Sequence, residues 1–164
     1  MAGGRLSCGD PRDYSHVMAN RPEKFDVVVS AVIRSGPRVL LTRLEDHDYW
    51  FLPGGPVTLG ESAKDALHKD ILEELGLEAK VADLIAVVEN AFELDGVAHH
   101  EINLAFEAKV DRTSSEALVP GMEFRWFDSE ALYDLDIRPP SLATVVRYGP
   151  DAARLPLQSN GLGH

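Results

Sequence analysis

The stretch from Gly55 to Leu77, GPVTLGESAKDALHKDILEELGL, constrains the fold of this 164-residue chain more than any other segment. Its second half has helical periodicity, and at about 100° per residue Asp70, Glu73 and Glu74 fall within one arc of the helix. The apolar residues of the same helix form one sector, which contains Ala63, Leu67, Ile71 and Leu75. On this wheel Glu74 lies inside the apolar sector and Asp70 lies at its border, whereas a solvated acidic face would point the other way.

Carboxylates held together at the edge of a core repel one another and lose hydration, so they require a cation or a shared proton. A hard divalent ion bound by oxygen ligands meets that requirement. The alternative is a solvated helix face whose acids pair with Lys64 or Lys69. The position of Glu74 within the apolar sector favours a metal site.

The helix has recognisable ends, with Ser62 as a predicted N-cap, Asp65 in the first turn and Gly76 at the left-handed C-terminal position. Upstream, residues 26–33 and 38–44 have strand-like patterns and are separated by Ser35-Gly36-Pro37, which indicates a hairpin.

Downstream, residues 81–94 and 99–110 are predicted strands joined across Asp95-Gly96, and 123–127 is a short strand. Residues 128–135 and 141–149 are predicted short helices. The segment 1–23 is predicted to be a loose arm, 24–150 a single mixed α/β domain, and 151–164 an irregular tail.

The formal net charge of −11 argues against non-specific binding to nucleic acid or to an anionic membrane. A phosphate-bearing substrate is still compatible, because a bound metal reverses the local sign of the field. Cys8 is the single cysteine, so neither a disulfide nor a thiolate metal cluster is expected. The sequence contains no signal-peptide-like run and no apolar stretch of ~20 residues, which predicts a cytoplasmic protein without a membrane partner.

The central stretch resembles the Nudix box, the motif G-x5-E-x7-R-E-U-x-E-E-x-G-U in which U is aliphatic. The positions that match are Gly55, Glu61, Ile71, Glu73, Glu74, Gly76 and Leu77. Two positions depart from the motif: Lys69 stands where arginine is usual, and Asp70 where glutamate is usual. A match of this length is far more specific than an isolated glycine pattern.

The resemblance implies an α/β/α sandwich with a mixed central β-sheet. It also implies Mg²⁺- or Mn²⁺-dependent hydrolysis of a diphosphate bond in a nucleoside diphosphate linked to another moiety, a small-molecule substrate. By position, Asp70, Glu73 and Glu74 would be catalytic residues and metal ligands, and Gly55 would let the backbone approach the metal. Glu61 and Lys69 would not bind the metal themselves but would hold its ligands in position. A homodimer is compatible with the resemblance.

The two departures leave a second interpretation open. Lysine offers a point charge where arginine offers a two-pronged guanidinium, and Asp70 is one methylene shorter than glutamate. A carboxylate misplaced by about 1 Å can cost on the order of 10²-fold in rate. The alternative function is therefore a catalytically weak or inactive Nudix-fold domain that binds or senses a nucleotide. An isoprenoid diphosphate isomerase-like activity is disfavoured, because it would need a cysteine within the domain and Cys8 lies in the arm.

Substrate contacts are expected outside the motif, in loops near residues 44–50, 90–100 and 111–123. Arg43 and Trp50 are candidates for contact with substrate, although a surface ion pair and core packing explain them equally well or better. An additional carboxylate could come from four residues, each of which is also explained as a surface residue: Glu101, Glu107, Glu116 and Glu123. Glu101 shares its strand face with Asn103 and Ala105, opposite an apolar face.

Overall fold

The computed structural model describes residues 24–94 and 96–149, together with the backbone of 158–160. The strands are β1 (Lys24–Ser35), β2 (Arg38–Leu44), β3 (Gly54–Pro56), β4 (Ala79–Leu94), β5 (Val97–Val110), β6 (Met122–Asp128) and β7 (Gln158–Asn160), and the helices are α1 (Ala63–Leu75) and α2 (Pro140–Tyr148). The predicted arm, the Asp95 turn position and most of the predicted tail lie outside the described residues.

The strands form one mixed sheet in the order β6-β2-β1-β5-β4-β7, with β3 paired to β1. β1 runs parallel to β5, whereas β4 and β5 are antiparallel and β1 and β2 form the expected hairpin. β7 runs parallel to β4, so three residues of the segment predicted to be irregular belong to the sheet. The mixed sheet implied by the sequence is confirmed.

Helix α1 begins and ends where its sequence predicts. The Ser62 hydroxyl accepts a hydrogen bond from the backbone N–H of Asp65, and Gly76 takes the left-handed conformation with φ of 62°. The apolar side of α1 is buried against one face of the sheet, in a cluster that includes Leu67, Ile71 and Phe106.

Helix α2 covers the opposite face of the sheet and packs Leu142, Val145 and Val146 into a second cluster. The result is an α/β/α sandwich. Because both faces of the sheet are covered, the face of β5 that carries Glu101 is not a plain polar surface: Asn103 and Ala105, further along the same face, are buried.

Two local predictions were wrong. Residues 128–135 contain a single 3₁₀ turn, Ala131–Tyr133, and no α-helix. The chain cannot continue as a helix because the next residues form backbone hydrogen bonds with Trp50: its N–H donates to the Asp136 carbonyl, and its carbonyl accepts from the Arg138 N–H. Residues 90–100 are not a loop, since β4 and β5 continue to Leu94 and from Val97 as a two-stranded ribbon. No helix in the described part of the chain is long and apolar enough to cross a membrane.

Candidate active site

Two glycines of β3 bring the backbone of that strand close to both β1 and α1. Gly54 has φ of 143°, and a side chain there would overlap the carbonyl of Val29 in β1. A Cβ built on Gly55 would lie 2.9 Å from the Asp70 Oδ2 atom on α1. The absence of a side chain at Gly55 therefore makes room for the Asp70 carboxylate.

The Asp70 carboxylate lies next to this strand, and Asp70 and Glu74 each have one carboxylate oxygen without a hydrogen-bonding partner. Asp70 Oδ2 and Glu74 Oε2 are both buried, and neither accepts a hydrogen bond. Burial raises the pKa of Asp70, while the Lys69 charge opposes that rise. Burial, and then the charges of Asp70 and Glu73, raise the pKa of Glu74 to about 7. Two desolvated carboxyls, one turn apart on α1, thus each keep an open acceptor atom.

Glu73 has a different environment from the other two acids, because its side chain is exposed. Within residues 24–94 and 96–149, no three His, Cys, Asp or Glu side chains converge closely enough to enclose an ion by themselves. This suits Mg²⁺, which usually keeps several waters and is bound by one or two carboxylates together with substrate phosphate oxygens. The unpartnered carboxylate oxygens of Asp70 and Glu74 and an oxygen-only donor set fit such an ion.

Lys69 braces Glu61. Its Nζ donates to both Glu61 carboxylate oxygens at 2.9 Å. The hydroxyl and backbone N–H of Thr58 donate to Glu61 Oε1 from the other side. These bonds hold the pKa of Glu61 below its usual value. The hydrogen bond from the Thr58 hydroxyl contributes most, followed by hydrogen bonding from Lys69. The loop between β3 and α1 is thereby tied to the helix.

Three of the residues expected to contact substrate lie together on the α2 side of the sheet. Arg43 Nε donates to Glu123 Oε2 at 2.7 Å, and its guanidinium lies 4.7 Å from the centre of the Trp50 ring. Trp50 is only 5% exposed, and Arg125 lies near the same ring. Partial burial opposes but does not outweigh the arginine hydrogen bonds and charges, which lower the pKa of Glu123.

Glu101 is separate from that group and lies on β5, between Asp26 of β1 and Asn90 of β4. Burial raises the pKa of Glu101, partly offset by a hydrogen bond from Asn90. The structure also shows two residues that the sequence interpretation did not single out, Asn90 and Asn103. Asn103 is 7% exposed and its Oδ1 atom has no hydrogen-bonding partner. The sequence signal was an asparagine within the otherwise apolar run Ile102-Asn103-Leu104-Ala105-Phe106.

Comparison with known proteins gives a consistent result. The NUDIX domain model matches residues 24–148. A MutT-like protein of Streptomyces ambofaciens is 33% identical over 94 residues, which are 55% of this chain and 57% of that protein. An RNA pyrophosphohydrolase of Psychrobacter cryohalolentis is 34% identical over 53 residues, 32% of this chain and 31% of that protein. The chain thus spans about half, or less, of the length of these two relatives.

A solved structure shows the same architecture. The mutator MutT protein from Bacillus halodurans superimposes with a TM-score of 0.64, covering 79% of this chain and 85% of that one. The two sequences are 20% identical, so this likeness supports the fold alone.

Proposed function

The chain belongs to the Nudix family, and from this membership we propose that it is a metal-dependent hydrolase of a phosphoanhydride bond in a nucleoside diphosphate linked to another moiety. The observation that carries the proposal is that Asp70, beside Gly55, and Glu74, one turn further along α1, each have a buried carboxylate oxygen without a hydrogen-bonding partner. Retaining two desolvated carboxylates without partners costs stability, and binding of a cation would offset that cost.

Asp70, Glu73 and Glu74, with the backbone at Gly55, would hold Mg²⁺ or Mn²⁺. When bound, the ion would neutralise the diphosphate oxygens and lower the pKa of a water. In the metal-free protein the pKa of Glu74 is about 7, so a cation that binds its carboxylate near neutral pH would displace a proton. Exposed Glu73 adds negative charge at the rim of the site and can reach an incoming ion from the solvent side.

The hydrogen bonds of Glu61 with Lys69 and Thr58, which we call the loop clamp, give Lys69 and Glu61 a supporting role. Lys69 contacts Glu61 with a single nitrogen, so it supplies the charge of the usual arginine without its planar fork. The clamp fixes the segment between Gly55 and the start of α1, which positions Gly55 against Asp70. The short side chain of Asp70 fits this arrangement because its carboxylate already fills the space beside Gly55.

Arg43 has N–H groups left over for an anionic ligand. A guanidinium carries five N–H donors, and the bonds to Glu123 use two of them. The contacts with Glu123 and Trp50 hold the guanidinium in one orientation, so we propose that Arg43 meets the substrate with Trp50 and Glu123 as its support.

The alternative, a nucleotide-binding domain with little or no turnover, is favoured by one observation: Lys69 is engaged with Glu61, so no arginine fork braces the acidic residues. The expected partner in either case is a small nucleotide derivative. The net charge of −11 disfavours contact with a long nucleic acid. A cytoplasmic location and a homodimer stay predictions.

Hydrolysis can be tested with a panel that contains a sugar nucleotide, a dinucleoside polyphosphate, nucleoside triphosphates and a short 5′-triphosphorylated RNA. Each compound is incubated with Mg²⁺ or Mn²⁺, and phosphate or nucleoside monophosphate release is measured for the wild type, Glu74→Gln and the control Glu130→Gln. We expect metal-dependent turnover that Glu74→Gln lowers at least 10²-fold. Glu130 is exposed and lies at the 3₁₀ turn, so its variant should retain full turnover.

The panel separates the two candidate functions. Turnover that survives Glu74→Gln would contradict the proposed site. If the folded protein binds nucleotide but turns over none of the compounds, the hydrolase hypothesis is wrong and the protein is a nucleotide-binding domain. Turnover of the RNA in preference to the small molecules would contradict the proposed substrate class.

A further inference from the structure

The C-terminal end of α1 is completed by a segment remote in sequence, the connection between β5 and β6. The last carbonyl groups of a helix have no partner inside it. In α1 the Glu74 carbonyl accepts a hydrogen bond from the backbone N–H of Leu118 at 2.7 Å. The carbonyl of Gly76, which follows the helix, accepts one from Arg112 Nη2, also at 2.7 Å. The last turn of α1 contains no basic residue, so Arg112 supplies the positive charge that a helix C-terminus favours.

Asp111 fixes this arrangement with both of its carboxylate oxygens. Its Oδ2 atom accepts from Arg112 Nη1 at 2.9 Å, and its Oδ1 atom accepts from the backbone N–H of Glu78 at 3.2 Å. In a helix that continued, the Glu78 N–H would donate to the Glu74 carbonyl four residues earlier. Because Asp111 takes that donor, the Glu74 carbonyl is left for Leu118. We call Asp111, Arg112 and Leu118 the remote cap of α1.

The segment that carries the remote cap is itself attached to the rest of the domain. Trp126 Nε1 of β6 donates to the Ser114 carbonyl at 3.1 Å, and Ala117 packs against the apolar cluster that α1 covers. The Leu118 Cδ1 atom lies 3.0 Å from the position that a Cβ would take on Gly76, so the leucine side chain covers the turn that ends α1. Because these contacts hold the segment in place, it can in turn hold the last turn of α1.

Glu74 is both the residue that the remote cap holds and a proposed metal ligand. Its carbonyl accepts from Leu118, whereas its carboxylate has a buried oxygen without a hydrogen-bonding partner. Asp70 lies one turn earlier and is placed beside Gly55 instead. Loss of the cap should therefore displace Glu74 and leave Asp70 where it is. Coordination bonds keep their length to within about 0.2 Å, so a small displacement of Glu74 is enough to weaken metal binding.

We propose that Arg112 is a positioning residue, which places the Glu74 carboxylate through the backbone of the last turn of α1 and thereby raises the affinity of the site for a divalent cation. The inference rests on the proposed function, because it takes Glu74 as a metal ligand. Positioning and charge predict effects of opposite sign. Removal of the Arg112 charge makes the surrounding field more negative, which by itself favours a cation, whereas the loss of positioning weakens cation binding.

The test measures Mn²⁺ binding in the absence of substrate. The dissociation constant is determined from the paramagnetic resonance signal of the free ion for the wild type, Arg112→Leu, Arg112→Lys and the control Lys109→Leu. Lys109 is an exposed cation near the end of β5, so its variant reports the loss of one positive charge in the same region. We expect Arg112→Leu to weaken Mn²⁺ binding about tenfold and Lys109→Leu to leave it unchanged or slightly tighter. Arg112→Lys should bind within about threefold of the wild type, because lysine keeps the charge and a donor.

Further variants locate the effect at Glu74. Leu118→Pro removes the donor to the Glu74 carbonyl without a change of charge, and it should also weaken Mn²⁺ binding about tenfold. In a Glu74→Gln background Arg112→Leu should add less than about a twofold loss, whereas in an Asp70→Asn background it should still cost about tenfold. Equal losses in the two backgrounds would overturn the proposal. So would an Arg112→Leu variant with a lower melting temperature and an unchanged Mn²⁺ affinity, because the remote cap would then serve folding alone.

Turnover and Mn²⁺ affinity distinguish the positioning role from the proposed function. Turnover that depends on Glu74, together with an Mn²⁺ affinity that does not depend on Arg112, would keep the hydrolase and overturn the positioning role. Mn²⁺ binding that depends on both residues, without turnover of any compound in the panel, would keep the positioning role and overturn the hydrolase. Absence of Mn²⁺ binding to the substrate-free wild type would overturn the positioning role.

Discussion

The Asp70 carboxylate lies in the space that a side chain at Gly55 would fill, 2.9 Å from the position of a Cβ atom there. Gly55 is also the one glycine in the described part of the chain whose φ is not in the positive region. Its backbone would accept any residue, so the requirement for glycine comes from the neighbouring carboxylate. The spacing of the motif therefore has a steric cause, because Gly55, its first residue, packs against Asp70, its sixteenth.

Gly55→Ala is expected to displace the Asp70 carboxylate and reduce kcat on the order of 10²-fold, because active-site groups must be placed to within about 1 Å. The melting temperature should change little, since alanine is compatible with this backbone. Kinetics of the single and double variants with Asp70→Gly provide the check. In the Asp70→Gly background the alanine should have almost no further effect, and an additive loss would contradict a steric link between the two residues.

The stability of the metal-free protein should fall as the pH rises from about 4.5 to about 7. The folded state holds the proton of Glu74 up to a pKa of about 7, whereas the unfolded chain releases it near 4.5, so the folded state binds more protons in this window. Stability is therefore greatest below the window and declines through it. Because the carboxyl keeps some contact with water, we expect a decline on the order of 1–2 kcal/mol.

Urea unfolding in EDTA at several pH values measures this decline for the wild type and Glu74→Gln. The glutamine variant should show a flatter profile, with the raised pKa of Asp70 as the remaining contribution from the site. A profile that rises through the window in the wild type, or that is identical in the variant, would contradict the burial of an ionisable Glu74.

Divalent ions should stabilise the protein through the same carboxylates. A ligand that binds only the folded state adds about 2.7 kcal/mol at a concentration 100 times its Kd. Thermal unfolding with increasing Mg²⁺ or Mn²⁺ at pH 8 should show a rising melting temperature, and Asp70→Asn should remove most of that rise. Asp70→Asn should also be more stable than the wild type in EDTA, because it eliminates a desolvated charge. Equal metal response in both proteins would exclude Asp70 as a ligand.

The sequence predicted most of the central motif because local chemistry determines it. The N-cap at Ser62, the left-handed Gly76 and the partly buried Glu74 each follow from helix geometry. The contact of Gly55 with Asp70 was not predicted, because it depends on the docking of β3 against α1.

The remaining features depend on pairings between distant segments. The burial of Asn103 depends on the strands that pair with β5 on both sides, and no local pattern specifies those pairings. The 3₁₀ turn at residues 131–133 replaced a predicted helix for a similar reason, since the backbone of Trp50 competes for the residues that follow it.

Arg43 and Glu123 should stabilise each other modestly and should differ in their effect on substrate binding. A double-mutant cycle with Arg43→Gln and Glu123→Gln, followed by urea unfolding, should give a coupling energy of about 0.5–1 kcal/mol for this partly exposed pair. Arg43→Gln should raise KM several-fold with kcat nearly unchanged, because it removes a charge that favours the bound substrate and the transition state equally. An unchanged KM would confine Arg43 to a structural role.

Lys69→Arg should retain activity within about threefold, because a guanidinium can keep the bonds to both Glu61 oxygens. Lys69→Met keeps the length of the aliphatic stem and removes the charge, so it should release Glu61 and loosen the loop against α1. We expect Lys69→Met to lower kcat about tenfold while the metal-induced rise in melting temperature persists, since Lys69 does not contact Asp70 or Glu74 through a hydrogen bond. Glu61→Gln should mimic Lys69→Met, and the double variant should be no worse than either single one. If Lys69→Arg raised kcat more than tenfold, the lysine would be a handicap to catalysis, and the interpretation as a weakly active binding domain would gain over the hydrolase.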